Sequence, residues 1–318
     1  MSGFKRMLAV LCCLAATAVA AQSFPVRPVR LIVPYAAGGE IDAISRFLAR
    51  KLEERWKQPV VVENRVGGGS VIGTEAAARA EPDGYTLLIH SFGFITNPIL
   101  MRNLPYDPAA LAPIIRLATA PNILYVTPSV PATTLKDVIE YAKAHPGQLT
   151  FASSGNASSP HIVAEMFAEM TGTTITHVPY KGTAPALNDL LGGHVQAIFG
   201  LYSLMPNTKD GKLRAIAVAS ESRLTAAPQL PTTVESGLPS LLSASWYGLF
   251  LPAKVPGPLR QKIYSDLREI ADSPDTRQQL IQIGLEPATL DSDQFAAFLK
   301  AESEKWGRII RLRNIKLD

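Results

Sequence analysis

From Val29 onward, short runs of β-branched and aliphatic residues alternate with segments whose apolar positions recur every three to four residues. That rhythm is the signature of a parallel α/β architecture. Residues 29–33 predict a buried strand and 34–39 a loop, and Ile41, Ile44, Phe47, Leu48 and Leu52 set the apolar face of a helix over 42–56. A strand at 59–62, a helix at 70–80 and a strand at 85–89 follow, the last entered through the turn Pro82-Asp83-Gly84. Residues 123–126 predict another strand. After the Pro-rich stretch 127–134 a second series begins: helix 135–144, strand 149–152, helix 160–170, strand 175–179, helix 184–191, and strands 195–199 and 214–219. A Pro/Ser/Thr-rich connection at 228–239 leads to a strand at 246–251 that returns to the first unit. Amphipathic helices close the chain, most clearly over 293–311.

With 318 residues, 47% of them apolar and 18% charged, the chain can bury a large core, and its length suggests two domains with a ligand site between them. The net charge of +4, without basic clusters, argues against a nucleic-acid partner. Both cysteines, Cys12 and Cys13, fall in a segment that reads as a secretory signal peptide over 1–21. Lys5 and Arg6 precede an apolar run over 7–18, and small residues at 18–21 offer a cleavage site. The run is too short for a spanning helix, and Leu11 stands where a lipoprotein anchor would need a small residue. Cleavage would remove two basic residues and no acid, lowering the net charge to +2 and leaving no thiol for redox, metal or nucleophilic chemistry.

Reaction motifs are missing. Gly67-Gly68-Gly69 lacks the later glycine of a dinucleotide loop, no phosphate-loop lysine or Gly-x-Ser-x-Gly elbow occurs, and the five histidines are scattered. His161 and Glu165 share a helical face at a spacing that could begin a metal site, but a hydrogen-bonded structural histidine explains His161 better. What recurs instead is a small-residue loop between strand and helix. It appears at residues 35–42 with Gly38 and Gly39, at 153–159 with Ser154, Asn156 and Ser158 before His161, and at 180–185 with Gly182, Thr183 and Ala184. Such loops offer backbone N–H groups and a positive helix end to an anion, so together they point to a carboxylate held by neutral donors.

The residues also resemble a known family, the Bug or TctC-like substrate-binding proteins of tripartite tricarboxylate transporters. The matching motifs are Pro34-Tyr35-x-x-Gly38-Gly39-x-x-Asp42-x-x-x-Arg46, Glu63-Asn64-Arg65, Pro82-Asp83-Gly84-Tyr85, Ser153-Ser154-Gly155-Asn156, His177-Val178-Pro179-Tyr180-Lys181-Gly182 and Trp246-Tyr247-Gly248. The resemblance implies a two-domain periplasmic binding protein, a type II-like flytrap. One domain would comprise 23–124 with 247–318 and the other 125–246, hinged near 122–126 and 245–247. It implies a carboxylate ligand, membrane permease subunits as partners, no cofactor and no catalysis, in a monomer. Carried over, the ligand grip falls on Tyr35, Gly38 and Gly39 with Asp42 behind them. The opposing wall falls on Ser154, Asn156, Ser158, His161, Gly182, Thr183 and Ala184, with Ser91, Phe92 and Tyr202 as further contacts. Phe92 and Phe94 would make the pocket apolar and suit a dicarboxylate or aromatic carboxylate, or else pack in the core. Two other functions keep the same pocket or reuse its serine: a sensor for a membrane signalling partner, and an exported hydrolase acting through Ser154.

Overall fold

The computed structural model describes residues 24–316; the expected signal segment and the two final residues lie outside them. The chain first lays down β1 (Val29–Val33), α1 (Glu40–Trp56), β2 (Val60–Asn64), α2 (Val71–Ala78), β3 (Thr86–His90), α3 (Gly93–Leu100) and β4 (Leu111–Pro121). It then builds a second sheet from β5 (Ile123–Val126), α4 (Leu135–Ala144), β6 (Thr150–Ser153), α5 (Ser159–Thr171), β7 (Thr176–Pro179), α6 (Thr183–Leu191), β8 (Ala197–Gly200), a single turn at Tyr202–Leu204, α7 (Pro206–Lys209) and β9 (Arg214–Val218). It returns through β10 (Ala244–Pro252), α8 (Gly257–Asp272), α9 (Pro274–Gln282), β11 (Glu286–Leu290) and α10 (Ser292–Leu312).

Two sheets result, with strand orders β11-β4-β10-β3-β1-β2 and β7-β6-β8-β5-β9, giving the two-lobed flytrap architecture. The chain passes from one to the other at Asn122 and comes back at Ser243, close to the segments expected to act as hinges. The crossing is stapled there. The Asn122 amide N–H donates to the Ser243 carbonyl at 2.9 Å, its side-chain Nδ2 donates to Ser243 Oγ at 2.8 Å, and Ala219 N–H donates to the Asn122 carbonyl at 2.7 Å.

Strands of the first sheet read as almost continuous apolar runs because both faces are covered. Val29, Leu31 and Val33 face α1 and α8, together with Leu87, Ile89, Leu249 and Leu251. Ile32, Leu88, Trp246 and Phe250 point to the other side, against Phe295, Trp306, Ile309 and Ile310 of α10. α1 buries Ile41, Ile44, Leu48 and Leu52 at helical spacing and stops at Lys57, whose φ of 55° is left-handed.

Three sequence expectations need correction, one of them the closing stretch expected to be helices alone, which also contains the strand β11, paired antiparallel with β4. The sheets are mixed rather than parallel: β10 runs antiparallel to β3 and β4, and β5 antiparallel to β8 and β9. β4 leaves for the second lobe at the same place where β10 re-enters, so the two must run in opposite directions. The segment from 91 to 122, where the apolar pattern predicts no element, contains α3 and the eleven-residue strand β4. Pro98 inside α3 and Pro113 and Pro121 in β4 mask the patterns, since proline removes a backbone donor.

Candidate functional site

The first loop is held open by a network centred on Asp42. Gly38 turns the chain at φ 87°, a conformation that costs glycine little. Asp42 stands at the third position of α1 and reaches back, so that Gly38 N–H donates to its Oδ2 at 3.0 Å. Arg46 Nε donates to the same oxygen at 3.0 Å and Asn64 Nδ2 to Oδ1 at 2.9 Å. Asn64 also donates to the Tyr35 carbonyl at 3.1 Å and accepts from Arg46 at 3.0 Å. The Arg46 hydrogen bond, against the opposing effect of burial, brings the Asp42 carboxyl down to about 2. Asp42 is therefore an anion consumed by its own loop. Gly38 and Gly39 stay exposed, and the first-turn N–H groups of α1 have no acceptor within the helix.

Tyr35 contributes a backbone, not a hydroxyl. Its Oη turns inward to His90 Nδ1 at 3.2 Å, which also accepts from Ser91 N–H at 2.8 Å. On the other edge of the ring Nε2 meets Thr74 Oγ1 at 2.9 Å, and that hydroxyl donates to the Ser70 carbonyl. These partners suit a neutral ring protonated on Nε2, and complete burial drives His90 down to about 3. Asn97 ties in the glycine-rich loop by donating to the Gly69 carbonyl at 2.8 Å and to Ser70 Oγ at 3.1 Å.

In the second lobe the loop after β6 rests on two stacked imidazoles. His161 on α5 and His177 on β7 lie with centroids 3.6 Å apart and planes 7° from parallel. His161 Nδ1 accepts from Ala157 N–H at 3.0 Å, and His177 Nε2 meets Ser153 Oγ at 2.6 Å. Burial lowers both to about 4, so both are neutral near pH 7. Ser153 beside a histidine superficially resembles a nucleophile and its base. It is, however, fully buried, and its hydroxyl donates to the Gly155 carbonyl at 3.0 Å, so the pair shapes the loop. Ser158 Oγ likewise donates to the Gly155 carbonyl at 2.7 Å, while Ser154 and Asn156 are half-buried on the loop crest. Gly182, at φ 110°, donates its N–H to the Ser154 carbonyl at 3.2 Å, placing exposed Thr183 and Ala184 beside that crest.

The lobes approach each other across a cavity of about 300 Å³. Gly38, Gly39, Glu40 and Ala43 line it from the first loop, Gln282 and Ile283 from the end of α9, and Tyr202, Ser203 and Pro206 from the second lobe. Among the residues expected at the site, Gly38, Gly39 and Tyr202 meet here. Ser154, Asn156, Ser158, His161, Gly182, Thr183 and Ala184 gather separately on the second-lobe loops. Phe92 and Phe94 pack against the core of the first lobe, the second of the two alternatives their positions offered. Phe92 is 7% exposed and sits edge-on to Trp306 at 5.3 Å, and Phe94 stacks on Phe250 at 4.2 Å. The C-terminal helix supplies the ring that draws Phe92 into the core. Sequence reasoning also missed what Arg46, Asn64 and His177 do, although each stands in a quoted motif, and it passed over Glu40 and Ser203 entirely.

Residues 44–315 match the model of the tripartite tricarboxylate transporter family receptor. The chain is 35% identical to protein BugT of Bordetella pertussis over 98% of both chains. A solved structure of Rhodopseudomonas palustris Rpa4515 with adipate superposes with a TM-score of 0.84 at 33% identity, covering 93% of this chain and all of that one. MatC from the same organism, solved with bound malate, superposes at 0.77 with 28% identity over 90% of this chain and all of its own. The two-lobed fold, its two loops and these matches agree, and the chain belongs to the tripartite tricarboxylate transporter receptor family.

Proposed function

We propose that this protein captures a small organic carboxylate between its lobes in the periplasm and delivers it to a membrane permease, as a monomeric receptor without catalytic activity. The observation that carries the reading is the first loop. Asp42, Arg46 and Asn64 lock an exposed Gly38-Gly39 turn at the start of a helix, where uncommitted N–H groups and the helix dipole favour an anion. Relatives of the same fold solved with adipate and malate support it. In this reading one carboxylate end docks on Gly38 and Gly39, and the far end meets Ser154, Asn156, Gly182 and Thr183. Domain closure turns on the Asn122–Ser243 crossing, with domain limits near 124 and 246. Dry N–H to carboxylate bonds then need no arginine. Calorimetric titration of the purified mature protein with C4 to C8 carboxylates tests it. Saturable binding that weakens on Asp42→Asn is expected, and absence of binding to every carboxylate refutes it. Cell fractionation checks the compartment.

A further inference from the structure

Among the described residues the inter-lobe cavity carries one carboxylate and no cation: Glu40 lines it, and no Lys, Arg or His does. Glu40 is the first residue of α1. Its Oε2 accepts from the Tyr247 hydroxyl of β10 at 2.9 Å, and Ser203 of the opposite lobe turns both its hydroxyl and its backbone N–H toward the same carboxylate. Tyr125, the nearby hydroxyl on β5, is already spent on the Leu201 carbonyl. Oε1 is buried, and no donor among the described residues meets it at full hydrogen-bond geometry. Asp42, two residues on, has three donors, one of them a guanidinium. A buried carboxylate oxygen left without a donor is costly, and burial accordingly pushes the Glu40 carboxyl above its usual range. The helix end that should welcome an anion thus already carries a carboxyl group that no cation pairs with among the described residues. A simple dicarboxylate docked on Gly38 and Gly39 would add a second negative charge beside it. A ligand with a donor at that end would supply what Oε1 lacks.

We propose that Glu40 is a specificity-determining residue that reads a hydrogen-bond donor, foremost an ammonium group, on the bound carboxylate, so that this receptor prefers amino-carboxylates to plain dicarboxylates. The inference rests on the carboxylate reading above. The ligand's carboxylate takes the first-turn N–H groups of α1, and its ammonium takes the place beside the Glu40 carboxylate that Ser203 now fills.

Matched pairs with one carbon skeleton test it: succinate against aspartate, glutarate against glutamate, and adipate against 2-aminoadipate. Each is titrated calorimetrically into the mature protein and into Glu40→Gln at neutral pH. The expected result is that the better-fitting amino member binds at least about tenfold more tightly than its partner, and that Glu40→Gln removes or reverses the preference. Plain dicarboxylates binding equally well or better overturn the inference and leave the carboxylate reading standing. The same holds if their binding takes up a proton, seen as heats that vary with buffer ionisation enthalpy, because Glu40 is then satisfied by protonation. An amino preference that survives in Glu40→Gln also overturns it, since another group must then read the donor. If neither series binds to protein whose circular dichroism is native, the carboxylate reading itself falls and the inference with it. Circular dichroism of Glu40→Gln separates a lost preference from a lost fold.

Discussion

Replacing Asp42 by Asn keeps the shape of the side chain and removes its charge, so it isolates what the carboxylate does for the first loop. Asp42 is 4% exposed and accepts from Gly38, Arg46 and Asn64. An Asn can present one oxygen, but its NH2 must then face a donor, an unmade hydrogen bond that costs on the order of 1–3 kcal/mol. The charge gives a second route to the same figure. A carboxyl held at about 2 against an ordinary 3.8 corresponds to roughly 2.4 kcal/mol. Arg46 is half in solvent, and screening lowers this to about 2 kcal/mol. The sign follows from the depressed value: the contribution is complete above pH 3.8 and is lost as pH falls through 2. The gap between wild type and Asp42→Asn should therefore stay constant from pH 7 to about 5 and shrink to roughly half by pH 3. Urea unfolding followed by tryptophan fluorescence suits the test, because Trp56, Trp246 and Trp306 lie on α1, β10 and α10, all attached to the first sheet. A gap below about 0.5 kcal/mol at pH 7, or one that does not narrow toward pH 3, refutes the reasoning.

Gly248→Ala should destabilise by about 3 kcal/mol or more, because an added Cβ would lie 2.3 Å from the Phe295 ring and 3.1 Å from the Ile115 carbonyl; urea midpoints check this. His161 and His177, both held down to about 4 by burial, contribute stability that is whole above pH 6.5 and is lost as pH falls toward 4. Their imidazole resonances should titrate below pH 5 in the folded protein, and midpoints near 6.5 would refute the burial argument. Arg313→Ala should cost less than about 1 kcal/mol, and high salt should erase the effect. The ion pairs from Arg313 to Glu165 and Glu169 join α10 to the second lobe but remain partly exposed to solvent.

The parts of the fold that were legible in the sequence are those where one periodicity governs a segment. β5 and α4 begin and end where the pattern predicts, at Ile123–Val126 and Leu135–Ala144. β4 was not legible, since its prolines interrupt the pattern and its burial depends on β10, which arrives more than a hundred residues later. At the site, the Gly38-Gly39 turn was visible because glycine has few other reasons to recur before a helix. The direction of side chains was not. Tyr35 turns inward because His90 is there to accept its hydrogen bond, and Phe92 turns inward because Trp306 covers it; neither partner is near in sequence. Arg46 and Asn64 could have been read as one unit only by knowing that β2 lies beside β1.

The strand order also dictates when each lobe can exist during synthesis. The second sheet is drawn from one uninterrupted stretch, Ile123 to Val218, and every strand it needs has been made once that stretch is complete. The first sheet has β10 at its centre, between β4 and β3, and β10 follows the whole of the second sheet in the chain. Until Ala244–Pro252 emerges, β3 and β4 present unpaired edges with their apolar faces bare. The lobe that begins the chain is therefore the last to fold. A nascent or exported chain must be guarded at β3 and β4, and truncation between Ser243 and Pro252 would leave a complete second sheet attached to an aggregation-prone remnant.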